Sequence, residues 1–121
     1  YHTNVMMCLG ESFSVICLDS IDDKKERKNV IKHLKEDGLE IITITENQLN
    51  NFAGNMLQVM GSNNEKYLVM STAAYHCLTN VQINKIEKYC KILYSSLDNI
   101  EACGGGSARC MMAEVFLPKK A

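Results

Sequence analysis

A cysteine set four residues beyond a run of glycines is the first place to look for chemistry in this chain. In CGGGSARCMMAEVF, Gly104, Gly105 and Gly106 lead through Ser107, Ala108 and Arg109 to Cys110. As a thiolate, cysteine is among the best nucleophiles a protein has, provided a base stands nearby. Glycines before it either turn the chain or let backbone press close to whatever the sulfur attacks, because glycine accepts φ > 0 and has no side chain. The candidate bases are His2, His33 and His76. His33 sits among lysines on the outer side of a charged helix, and His76 lies in AAYHCL, an apolar neighbourhood that predicts packing. The residues alone leave two readings open: a nucleophile in a shaped loop, or a flexible turn before a strand with a buried cysteine. The obvious phosphate motifs fail, since GGGS lacks the Lys-Ser/Thr of a P-loop and GGGSAR lacks the last glycine of a dinucleotide fingerprint.

The remaining composition narrows the class. With 121 residues, 46% hydrophobic and 22% charged, the chain has the make-up of one globular domain or a piece of one. No apolar run reaches the ~20 residues of a membrane span, and a net charge of −1 gives no attraction to nucleic acid or an acidic membrane. The start, YHTNV, has neither initiator methionine nor signal peptide, and reads as a cut inside a longer protein or a trimmed chain. Six cysteines, at 8, 17, 77, 90, 103 and 110, sit partly in apolar segments such as MMCLG and VICLD, as reduced buried thiols do. With no CxxC pair and no histidine pair, neither a zinc site nor another cofactor is expected. The expected location is the cytoplasm.

The elements that must position Cys110 follow from hydrophobic patterning. Residues 4–9 and 13–18 are apolar runs split by Gly10-Glu11-Ser12, a hairpin pattern. Asp22-Asp23 opens a helix near 23–36, with Val30, Ile31 and Leu34 as its core stripe and Gly38 as its stop. LEIITIT (39–45) is strand-like, and 46–52 is a turn or short helical connector. NMLQVM (55–60) and KYLVMS (66–71) form a second hairpin about GSNNE. A helix is expected over 80–91 with Thr79 as its N-cap. ILYSSL reads as a strand, DNIEACGGGSA as a connector, and RCMMAEVFL as a last strand. The order is two ββαβ units and one extra strand, an α/β architecture of mixed sheets.

HTNVMM at the start, FAGNMLQV in the middle and IEACGGGSARCMMAEVF at the end together resemble the arginine deiminase-related branch of the guanidino-group-modifying superfamily. The likeness is nearest to citrulline-utilisation hydrolases labelled amidinotransferases. It spans essentially the whole chain. The resemblance implies the pentein fold, an α/β propeller of five ββαβ-type modules around a pseudo-fivefold axis. This chain would be roughly the C-terminal half of that single catalytic domain, with the N-terminal half absent.

What the resemblance implies about chemistry is concrete. Cys110 would attack the guanidino or ureido carbon and form a covalent S-amidino intermediate, and His2 would pass protons to the leaving nitrogen and from water. Gly105, Gly106 and Ser107 would let backbone approach the substrate, with free N–H groups for a carboxylate. Arg109 would bind an α-carboxylate or support the loop, with a surface salt bridge as the plainer alternative. Asn55 would contact substrate or satisfy local backbone. Arginine deiminases carry a carboxylate where this chain has Asn4, which favours an uncharged ureido head such as that of citrulline. The implied partner is a small guanidino or ureido molecule, with no nucleic acid or membrane, and a homo-oligomer stays open. The competing function is a non-catalytic pentein that binds or scaffolds.

Overall fold

The computed structural model describes residues 2–120. Helix α1 (Thr3–Met6) runs into strand β1 (Met7–Leu9), which pairs antiparallel with β2 (Phe13–Ile16). After a 3-10 turn at Leu18–Ser20 and helix α2 (Lys24–Glu36), β3 (Glu40–Thr43) returns parallel to β2. Helix α3 (Glu46–Asn50) leads to a repeat of the pattern. Here β4 (Leu57–Met60) is antiparallel to β5 (Lys66–Ser71), and helices α4 (Thr72–Cys77) and α5 (Asn80–Glu87) precede β6 (Lys91–Ser95), parallel to β5. Helix α6 (Asp98–Gly104) and a 3-10 turn at Arg109–Met111 follow. The molecule is a mixed α/β fold with two three-stranded sheets, β1-β2-β3 and β4-β5-β6. These are the two ββαβ units expected.

Local chemistry sets the boundaries. Asp23 caps α2, its carboxylate accepting from the Lys25 and Glu26 N–H groups at 2.8 and 2.9 Å, and Gly38 leaves the helix at φ 77. All four residues of β2 are buried, as a central strand covered on both faces must be. One core runs through both units, with Phe13, Val15, Ile42, Met56, Leu68, Met70 and Ile86 all buried in it.

Four expectations are corrected. The first strand starts at Met7, because residues 3–6 wind into α1. Helix α5 ends at Glu87, where the Tyr89 and Cys90 N–H groups both fold back to the Ile86 carbonyl. His76 is exposed on α4, with its ring edge-on to Tyr75 and Tyr94, and is not packed inside. The largest departure is the last strand: residues 109–111 form a turn, and 112–120 continue without helix or strand. A β-rich pattern becomes a strand only against a ladder partner, and among the described residues no sheet edge pairs with this segment.

The two units are joined by a polar seam. Gln48 and Gln82 each complete the capping box of their own helix, at Thr45 and Thr79. Gln48 Nε2 also donates to the Cys77 carbonyl at 2.8 Å and to Gln82 Oε1 at 2.7 Å, while Gln82 Nε2 donates to the Thr43 carbonyl at 2.7 Å. Nearby, Phe13 stacks on Tyr89 and the Tyr89 hydroxyl donates to Glu40.

That last bond predicts a pH signature. The Tyr89 hydrogen bond, helped by Lys88 and Lys85, holds the Glu40 carboxyl below its ordinary value. A depressed carboxyl stabilises the fold above its unfolded value and loses that contribution as pH falls through the folded one. The same bond raises the Tyr89 hydroxyl, whose contribution is lost as pH rises through its folded value. Tyr89→Phe is therefore expected to be less stable than the parent at neutral pH, with the gap closing at both extremes. Urea melts across pH would check this, and a gap independent of pH would contradict it.

Candidate active site at Cys110

Three chain segments meet at Cys110, and each arrives there for a local reason. The first comes from the end of α3. Phe52 takes the left-handed region at φ 65, and the Phe52 and Ala53 N–H groups bond to the Leu49 and Gln48 carbonyls at 2.8 and 3.0 Å. This is the paired helix-ending bond pattern that usually places glycine at the left-handed position. Gly54 then passes directly against α1, where a Cβ would meet the Val5 carbonyl oxygen and stand 2.8 Å from the Met6 carbonyl carbon. Asn55 emerges fully buried.

The second segment leaves α6. Gly105 turns the chain at φ 68. Gly106 serves a different need: a Cβ there would lie 3.0 Å from both Cβ and Sγ of Cys110. The backbone freed by this glycine therefore lies against Cys110 itself. Ser107 is fully buried, its hydroxyl donating to Glu101 at 2.7 Å and its N–H to Asn55 Oδ1 at 3.0 Å. The Arg109 N–H donates to the Asn55 carbonyl at 3.3 Å and the Cys110 N–H to Asn55 Oδ1 at 3.4 Å. Arg109 lies in the 3-10 turn, and its guanidinium donates to the Met112 carbonyl at 2.9 Å.

The third segment is the start of the chain. Asn55 Nδ2 donates to the Asn4 carbonyl at 2.7 Å and to Cys110 Sγ at 3.1 Å, and Asn4 Nδ2 approaches the same sulfur at 3.8 Å. Asn4 Oδ1 is buried without a hydrogen-bond partner. His2 precedes α1 in extended conformation, exposed, with its carbonyl accepting from the Val5 N–H at 3.0 Å. Asn4, Asn55, Gly106, Ser107 and Cys110, expected from sequence to share a site, thus touch one another. A hollow of about 300 Å³ adjoins them, lined by Thr3, Asn4, Met7, Cys8, Met56 and Arg109 among others. Larger hollows of about 620 Å³ lie elsewhere and include none of these residues.

Two contributors were not singled out in the sequence. Glu101 holds Ser107 from six positions away, a spacing that faces away on a helix and spans roughly 20 Å on a strand, so neither period signals the contact. Gly54 lies inside the FAGN motif, where nothing local marks its contact with the α1 backbone.

All six cysteines are free thiols. Burial pushes the Cys8 thiol up to about 12, and burial also raises Cys77 and Cys90. Cys103 and Cys110 are exposed. Iodoacetamide at neutral pH is expected to modify Cys110 first, Cys103 more slowly, and Cys8 only after unfolding. Peptide mapping that finds Cys8 labelled in the folded protein would contradict this burial, and Cys103 labelled ahead of Cys110 would count against the nucleophile assignment. Among the described residues, no helix is long and apolar enough to cross a membrane, and no cluster of three His, Cys, Asp or Glu side chains is placed to hold a metal.

Comparison with known proteins bears out the resemblance to guanidino-group-modifying enzymes. A search of curated protein sequences finds no match. The structure is similar to the apo crystal structure of ArgZ, an arginine dihydrolase from the ornithine–ammonia cycle in cyanobacteria. The TM-score is 0.66 at 21% identity, a likeness of fold, and it covers 92% of this chain and 15% of that one. The family model for N,N-dimethylarginine dimethylhydrolase, eukaryotic, matches residues 1–117. By that match over nearly its whole length, the chain belongs to the N,N-dimethylarginine dimethylhydrolase family.

Proposed function

We propose that the protein carrying this chain is a cysteine-dependent hydrolase of a guanidino or ureido group, with Cys110 as nucleophile and His2 as proton carrier. The observation behind this reading is that Cys110 Sγ lies within 3.8 Å of Asn4, 106 positions away and two residues from His2. Such an arrangement serves a nucleophile, and a scaffold gains nothing from it.

The reaction divides into two steps. The Cys110 thiolate forms a C–S bond to the guanidino carbon, and the C–N bond to the leaving amine breaks as His2 gives that nitrogen a proton. Water, deprotonated by His2, then adds to the S-amidino carbon, and the C–S bond breaks to release a ureido product and the thiolate. Asn4 and Arg109 border a hollow of about 300 Å³ and are proposed to face the substrate, with Gly105, Gly106 and Ser107 shaping the loop that carries Cys110. Candidate substrates are N,N-dimethylarginine, named by the family, and arginine or citrulline. An amine acceptor in place of water would make the enzyme a transferase by the same first step.

We also propose that residues 1–121 form the C-terminal part of one pentein propeller. The match of 92% of this chain to only 15% of ArgZ supports this reading. Assayed by itself the chain is then expected to be silent, because the charges that orient the substrate lie outside it, and orientation accounts for roughly 7–11 kcal/mol of such barriers. The test assays the whole protein and the 121-residue chain against the three substrates and agmatine, following ammonia and amine release. Mass spectrometry of acid-quenched reactions would look for an adduct on Cys110. Turnover without any adduct, or turnover by the chain alone, would overturn the corresponding statement.

A further inference from the structure

The carboxamide of Asn55 has two N–H donors and an oxygen with two lone pairs, and all four are taken up inside the chain. The donors go to the Asn4 carbonyl and Cys110 Sγ, and the oxygen accepts from the Ser107 and Cys110 N–H groups. The residue is fully buried, and its own carbonyl receives the Arg109 N–H. Nothing is left for a substrate to bind. Four of its five contacts hold the segment bearing Cys110, and the fifth ties that segment to the start of the chain beside His2.

We propose that Asn55 is a positioning residue for Cys110: its oxygen fixes the turn from Ser107 to Cys110, and its N–H holds the sulfur in one orientation. This rests on the reading of Cys110 as nucleophile. An N–H donor aimed at the sulfur from 3.1 Å fixes where the sulfur sits. The neighbouring groups do not duplicate this effect. Asn4 Nδ2 stands further off at 3.8 Å, and the Arg109 guanidinium is turned to the Met112 carbonyl. The role differs from direct substrate contact, because no atom of the side chain remains unbonded.

Asn55→Asp separates holding from packing. It keeps the oxygen that receives the Ser107 and Cys110 N–H groups, and it replaces the donor to sulfur and to the Asn4 carbonyl with a second oxygen. In the whole protein, kcat is expected to fall at least 10-fold with KM within 2-fold. The rate of Cys110 alkylation by iodoacetamide in the folded protein should fall as well. A merely structural role would lower the melting temperature and leave kcat and the alkylation rate of the folded protein unmoved, which would overturn the proposal. Should the variant fail to fold, nitrogen-15 NMR of the unaltered protein decides. The Asn55 side-chain N–H resonance is expected to move when Cys110 is alkylated by iodoacetamide, and a resonance that stays still would overturn the proposal equally. If Cys110 itself proves dispensable for turnover, the functional reading falls. If Cys110 is essential and Asn55→Asp is unchanged in every readout, only this inference falls.

Discussion

Cys110→Ser is expected to lower turnover of whichever guanidino or ureido substrate proves active by a factor on the order of 10⁶, the scale of loss when a covalent nucleophile is removed. The change is conservative in volume, and Cys110 is exposed on a 3-10 turn, so the fold should hold. A hydroxyl is a far weaker nucleophile than a thiolate at neutral pH, and the adduct forms too slowly to support turnover. His2→Asn is expected to cost less, roughly 10²–10⁴-fold, because proton transfer is assisted and not replaced. The pair of variants orders the two roles. Measured by amine release with matched thermal melts, Cys110→Ser retaining more than a few per cent of parental activity would remove the covalent route. Equal losses would instead mean that both residues act in a single indivisible step.

Gly54→Ala is the stability change with the largest expected effect. The added methyl would meet the backbone of α1 at the Val5 carbonyl oxygen and Met6 carbonyl carbon, and backbone cannot rotate away as a side chain can. Overpacking costs about 1–3 kcal/mol where side chains absorb it, so a loss of about 3 kcal/mol or more is expected here. For a domain of this size that is a fall of roughly 10 °C in melting temperature. Gly104→Ala is the control, since a Cβ at that position meets nothing within 4 Å. Its melting temperature should stay close to the parent. Gly54→Ala melting alongside Gly104→Ala would show that α1 has room to retreat. Any retreat of α1 also carries Asn4 away from the sulfur.

What the sequence disclosed depended on how local the determining contact was. Helix α2 was readable because Asp23, the Leu34 stripe and Gly38 all lie within one stretch. Thr79 was readable for the same reason, with Gln82 three residues on. Helix α6 was hidden because its last turn uses Cys103 and Gly104, in a stretch whose glycines read as connector. The RCMMAEVFL segment misled for the opposite reason. Its local pattern is that of a strand, but a ladder needs a partner elsewhere, and local pattern says nothing of partners. The site followed the same rule. Cys110 and its glycines were legible from adjacency alone. The bonds that Asn55 makes to residues 51 and 55 positions distant were not, because nothing in FAGNML says what the carboxamide meets.

The glutamine seam has a consequence for how the molecule comes apart. Gln48 and Gln82 each close the start of their own helix through Oε1 and the backbone N–H, and each spends its Nε2 on the other unit. Opening one unit strands the polar groups of both, and a half-unfolded state keeps little of what its folded half gained. Chains of similar units often melt piecemeal, each contributing its own stability with a modest term between neighbours. Here the bonds between neighbours are made by the same two side chains that cap each unit's helix. Amide hydrogens of β2 and β5 should therefore exchange through one shared opening event, with equal free energies.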